Sequence, residues 1–156
     1  MKKMLMMILV LATTTAFAAS TGTIFLSGTI APINDLQITP LAAATNLNVI
    51  SGENNRLVAT VTETSNSLNG YKILMRSLNA SKLVNTVNSA YKAAYTVSYD
   101  GGSPMSLSTS DQEVKNSGSL NGLTTDNSDV KVNVTAYPTG PAGTYSDTIT
   151  VSIVAN

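Results

Sequence analysis

Ile149, Val151 and Ile153 alternate with Thr148, Thr150 and Ser152, and the same two-residue period recurs along most of the chain. Successive side chains of an extended strand point to opposite faces, so this period describes half-buried β-strands rather than amphipathic helices. Val130, Val132 and Val134 oppose Lys131, Asn133 and Thr135; Tyr95, Val97 and Tyr99 share a register; and Tyr71, Ile73 and Met75 share a face over residues 71–77. Residues 56–64 set Leu57, Ala59 and Val61 against Val58, Thr60 and Thr62. Shorter alternations cover residues 35–39, with Leu36 and Ile38 together, and residues 46–50, with Leu47 and Val49 together. The turn residues Asn69-Gly70, Asp100-Gly101-Gly102 and 51–55 separate these runs. Leu83, Val87 and Tyr91 are four apart, but Asn85, Thr86, Asn88 and Ser89 between them are poor helix formers. A short strand at 82–85 and a helical turn at 111–115 are expected instead. Many short strands without a long helix predict an all-β sandwich.

The two ends of the chain sharpen this. Lys2 and Lys3, the apolar stretch 4–11 and Ala16-Phe17-Ala18 have the three parts of an export signal. The apolar stretch, interrupted by Thr13, Thr14 and Thr15, is too short for a bilayer of about 30 Å. Cleavage after Ala18 places an alternating segment, residues 23–31, directly at the mature N-terminus. Ile24, Leu26, Gly28 and Ile30 project to one side of it, and Pro32 ends it. Residues 144–155 form a second alternating strand at the other end.

Without Lys2 and Lys3, seven basic residues stand against nine acidic ones, a net charge of −2. That is no nucleic-acid footprint, which needs clustered Lys and Arg. Histidine and cysteine are both absent. Ser-His-Asp and Cys-His nucleophiles and the usual zinc sites are therefore excluded, and no disulfide contributes stability. Asp100, Asp126, Asp129 and Asp147 read as turn or strand-start residues, and residues 126–129 lack the glycine and terminal glutamate of an EF-hand loop. Neither a catalytic role nor a cofactor is expected. Asn79-Ala80-Ser81 and Asn133-Val134-Thr135 match the glycosylation sequon, a motif that also arises by chance. The tyrosines read as core and sheet-packing residues.

The N-terminal alternating strand ending in Pro32 resembles the donor strand of bacterial chaperone–usher pilin subunits. The run Gly143-Thr144-Tyr145-Ser146-Asp147, leading into residues 148–153, resembles the final strand of that superfamily. The nearest likeness is to its spore coat protein U-like, archaic branch and to colonisation-factor-type fimbriae, where residues 94–102 also resemble a strand and turn. The resemblance implies an immunoglobulin-like sandwich lacking its last strand. It implies residues 1–18 as signal, 19–32 as donor-strand extension and 33–156 as pilin domain. Ile24, Leu26, Gly28 and Ile30 would be the donor face, and Ile149, Val151 and Ile153 would line the acceptor groove. The implied partners are further pilin subunits in a homopolymer, a periplasmic chaperone, an outer-membrane usher and a host or abiotic surface. The implied location is a surface fimbria reached through the periplasm. Periodicity alone leaves open whether residues 23–31 pair within one molecule or with a neighbour. A self-complemented monomeric coat domain and an adhesin-like binding module are the alternatives.

Overall fold

In the computed structural model, residues 20–156 are described; the expected export signal lies outside them. Residues 20–30 carry no assigned helix or strand, and all are exposed. Ile24, Leu26 and Ile30 are 87%, 86% and 88% exposed. Ala31–Asn156 is a separate unit.

Nine strands make up this unit: β1 (Asn34–Pro40), β2 (Glu53–Ser65), β3 (Tyr71–Ser77), β4 (Lys82–Asn85), β5 (Lys92–Tyr99), β6 (Gln112–Asn116), β7 (Thr124–Val134), β8 (Tyr145–Ser146) and β9 (Ile149–Ala155). One sheet runs in the order β1-β2-β7-β5-β4-β8, the other β6-β3-β9, and every pairing is antiparallel. The result is an all-β sandwich with an open, incomplete sheet. The core between the sheets follows the expected alternation at Tyr71, Ile73 and Met75 of β3, Tyr95, Val97 and Tyr99 of β5, and Val130, Val132 and Val134 of β7, all buried.

Five expectations are corrected. In β2 the register slips between Leu57 and Ala59. A bulge of this kind shifts which residues face inward, so Val58 is buried with Val61, Glu63 and Ser65, while Leu57 and Ala59 are only half-buried. Residues 46–50 form no strand; they follow a 3-10 turn at Ala42–Thr45. The Asn48 N–H donates to Glu53 Oε1 at 2.8 Å, and the Ser51 N–H donates to Asn48 Oδ1 at 2.9 Å, so side chains replace ladder partners there. Residues 111–115 are not helical: β6 is an edge strand against β3. Residues 126–129 lie inside β7, and residues 144–155 are two strands in different sheets rather than one.

Asp147 stands where the chain changes sheets. Its Oδ2 accepts hydrogen bonds from Ser77 Oγ at 2.6 Å and the Tyr95 hydroxyl at 2.8 Å. Its Oδ1 accepts the backbone N–H groups of Asn79 at 3.0 Å and Thr148 at 2.7 Å. One carboxylate therefore ties the β8–β9 crossover to both sheets.

Candidate functional site

The open side of the sandwich lies between two edge strands, β1 and β9, and the backbone on each lip has a defined polarity. In β9, the Thr148 carbonyl accepts the Leu78 N–H at 2.9 Å, and the Asn156 N–H donates to the Gly70 carbonyl at 3.0 Å. Backbone bonds to a neighbour alternate along an antiparallel strand. Even-numbered residues therefore serve β3, and Ile149, Val151 and Ile153 direct their N–H and C=O groups to the open edge. The same three stand opposite Ser77, Met75 and Ile73, which are fully buried, so their side chains face the core.

The β1 lip follows the same rule. The Ile33 carbonyl accepts the Asn66 N–H at 3.2 Å, and the Leu41 N–H donates to the Val58 carbonyl at 2.9 Å. Odd-numbered residues serve β2, leaving the backbone groups of Asn34, Leu36 and Ile38 on the open edge. Leu36 and Ile38 stand opposite buried Glu63 and Val61, so they too face inward. On both lips, Asn34 apart, the residues with free ladder groups are those with inward apolar side chains. Their burial is incomplete: Leu36, Ile149, Val151 and Ile153 are half-buried, and Ile38 is 42% exposed.

A cleft opens between Ile38 of β1 and Ile149 and Val151 of β9, and adjoins a second cavity lined by residues 44–50, Tyr137 and residues 140–147; the two share Ala44, Leu47, Leu83 and Asp147. The narrower, of about 220 Å³, reaches Met75 and Val132 in the core and is walled by Ile38, Ile149 and Val151. An apolar cavity of about 150 Å³ holds a benzene molecule, so this section admits one or two aliphatic side chains. The wider section, of about 690 Å³, is flanked by Tyr137 and Tyr145, whose rings meet edge to face with centroids 6.2 Å apart. Ile149 and Val151 thus line the narrow section, while Ile153 packs on the core beyond it. Sequence reasoning missed Ile38, Leu47 and Tyr137; Leu36 and Ile38 were legible as a shared face but not as a lip.

Away from the cleft, the sheets are joined by a buried polar cluster that the sequence did not reveal. Glu63 of β2 is fully buried. It accepts the Tyr71 hydroxyl at 2.5 Å and the Tyr99 hydroxyl, and Lys115 Nζ of β6 lies 3.0 Å away. Lys115 also reaches Asp126 at 2.5 Å, and Asp100 and Ser128 at 3.0 Å each. Glu63 and Asp126 are register partners, a repulsive cross-strand pair unless a cation bridges them. Lys115 does so because the β3–β6 bulge sets it opposite inward-facing Ile73. Burial alone would raise the Glu63 pKa, but hydrogen bonds from Tyr71, Tyr99, Ser128 and Lys115 hold it below its ordinary value. Burial would lower Lys115, yet Asp126, Asp100 and Glu63 hold it above its ordinary value. The cluster ties the two sheets together through Lys115 and buried Glu63, while Asp100 and Asp126 at its rim are about half exposed. Among the described residues, no group of three or more acidic side chains is placed to hold a metal ion.

Fold and site together define an open β-sandwich with an apolar cleft beside two unpaired strand edges. No protein-family model matches the chain, and no curated protein sequence matches it. Among solved structures it is similar to the CssB subunit complemented with a donor strand from the CssA subunit of enterotoxigenic Escherichia coli colonization factor CS6. Identity there is 21%, with 78% of this chain and 83% of that chain covered and a TM-score of 0.43. It is also similar to the CooA pilin subunit from enterotoxigenic Escherichia coli, at 14% identity, covering 60% of this chain and 67% of that chain, with a TM-score of 0.36. Both are distant resemblances of fold to pilin subunits.

Proposed function

We propose that the chain is a structural pilin subunit, polymerising when residues 23–31 of one copy fill the β1–β9 cleft of another. The observation that carries this reading is the coincidence, on both lips, of free backbone ladder groups with half-buried inward apolar side chains. An inserted strand satisfies both at once, by β-augmentation. Ile24, Leu26 and Ile30 are almost fully exposed and recur on one side of an extended segment. Burying each is worth ~1.5–3 kcal/mol before any backbone bonds form, and the narrow section has room for one or two of them. Gly28 between them matches a place where two backbones approach closely.

Until it is filled, an apolar cleft flanked by two unpaired strand edges is an aggregation hazard. A periplasmic chaperone that caps it and an outer-membrane usher that exchanges the cap for a subunit fit this chemistry, as does export under the signal at residues 1–18. The product is a surface fimbria with a mechanical, non-enzymatic role. Leu26→Asp tests the reading: it should leave export intact and abolish polymer, whereas unchanged heat-resistant polymer would refute it.

A further inference from the structure

A subunit that carries both plug and cleft faces a competition. A tethered strand has an effective concentration near ~1 mM, against ~10 µM for a neighbour's, so self-filling should win by about 100-fold unless the chain forbids it. We infer, on the reading of residues 23–31 as a cleft-filling strand, that the joint Ala31-Pro32-Ile33 and its anchor Asn66 prevent self-filling and so commit the strand to another molecule.

The register leaves few ways to fill the cleft from within. The free groups of β1 belong to Asn34, Leu36 and Ile38. Only three residues separate Ile30 from Asn34. A strand running parallel to β1 needs a crossover of about a dozen residues, which is unavailable. An antiparallel hairpin that puts Ile30, Gly28 and Leu26 opposite Asn34, Leu36 and Ile38 needs Ala31-Pro32-Ile33 as its whole loop. Moving the turn back into residues 28–30 would instead place Leu26 and Ile24 opposite Pro32 and Asn34, short of the apolar lip. Moving it forward to Pro32-Ile33-Asn34 would set Ile30 and Gly28 opposite Leu36 and Ile38, but it takes Asn34 from its pairing with Ser65 and breaks the Asn66 side-chain bonds to Ile33 and Ala31.

The required loop is a poor match to its residues. Three-residue hairpin loops use a type I turn followed by a residue at positive φ. Proline at the second turn position forces the residue before it out of the helical region. The third position would place β-branched Ile33 in the left-handed region, a conformation such residues essentially never adopt. Neither Ala31 nor Ile33 has positive φ in the structure.

Asn66 holds the joint in its present form. Its N–H donates to the Ile33 carbonyl at 3.2 Å, its Oδ1 accepts the Ile33 N–H at 2.7 Å, and its Nδ2 donates to the Ala31 carbonyl at 2.9 Å. The side chain spans Pro32, which has no N–H to offer, and binds the backbone on both sides of it. Asn66 is a positioning residue. Folding the chain back at 31–33 would break its side-chain bonds.

The test is the mature chain carrying Pro32→Asn, Ile33→Gly and Asn66→Ala, which supplies a permissive loop and removes the anchor. At ~10 µM the wild type should polymerise. The triple variant should lose polymer and give a monomer whose melting temperature does not depend on concentration and falls when Leu26→Asp is added. A native-like triple variant that polymerises as the wild type does would overturn the role of the joint while leaving the strand reading intact. So would a wild type that is itself a concentration-independent monomer sensitive to Leu26→Asp. Insensitivity of both chains to Leu26→Asp would instead overturn the strand reading. Should the triple variant not fold alone, a peptide of residues 21–31 is added; folding only with the peptide would show that self-filling does not occur and overturn the inference.

Discussion

Lys115 Nζ lies 3.0 Å from Glu63 Oε2, joining the two sheets through a carboxylate with no solvent exposure. With no cysteine in the chain, this contact holds the sheets together where many exported sandwiches use a disulfide. Lys115→Met should cost about 3–5 kcal/mol, because it leaves a buried charge without its cation. Glu63→Gln keeps an acceptor for the two tyrosines and should cost less, about 1–3 kcal/mol. Urea titrations of the two variants check the order.

The same cluster sets the pH response. Glu63 and Asp126 titrate below their ordinary values of 4.5 and 3.8, so their contribution is complete above those values and is lost as pH falls through the lower folded-state values. Lys115 titrates above its ordinary value of 10.5, so its contribution is complete below 10.5 and is lost as pH rises through the higher folded-state value. The cluster's contribution to wild-type stability should therefore be complete between pH 4.5 and 10.5 and fall on either side, while Lys115→Met, lacking the cation, loses less at both extremes. Denaturant midpoints at pH 3, 7 and 11 measure it.

Asp147→Ala should release the crossover into β9, removing acceptors from Ser77, Tyr95 and two backbone N–H groups at once. A loss of about 3 kcal/mol is expected, seen as a lower melting temperature. Amide exchange should accelerate first at β9, the lip of the cleft.

Gly70 has φ +84°, and a Cβ there would fall 1.6 Å from the Gly118 carbonyl oxygen. Gly70→Ala should cost at least ~2 kcal/mol, because both backbone strain and a backbone clash oppose it. Thermal melting of the purified variant checks this.

Much of the sandwich was legible where one face is buried: β3, β5 and the second half of β7 alternate cleanly, and Asn69-Gly70 marks a turn. Bulges were not legible. The slip at Leu57–Ala59 and the extra residue at Val114 leave no mark in composition, yet they turn Val58 and Lys115 inward. The polar stretches of β6 and β7 read as turns because their strand pairing is sustained by ion pairs and hydrogen bonds between side chains, such as Thr62 Oγ1 to Asn127 Oδ1 at 2.8 Å. The apolar faces at 36–38 and 149–153 were legible as strands. That they form two lips of one cleft depends on long-range pairing that no local pattern encodes.

The absence of cysteine makes engineered thiols a clean probe of which molecule's strand fills the cleft. Two full-length chains are mixed, one carrying only Leu26→Cys and the other only Ile149→Cys, Val151→Cys or Ile153→Cys. Adjacent strands bring Cα atoms within the roughly 4.4–6.8 Å that a disulfide requires. The account predicts a cross-linked heterodimer on oxidation with at least one of the three, and no intramolecular bond when both thiols sit on one chain kept dilute. An intramolecular bond in the dilute double variant, with no heterodimer in any mixture, would contradict it.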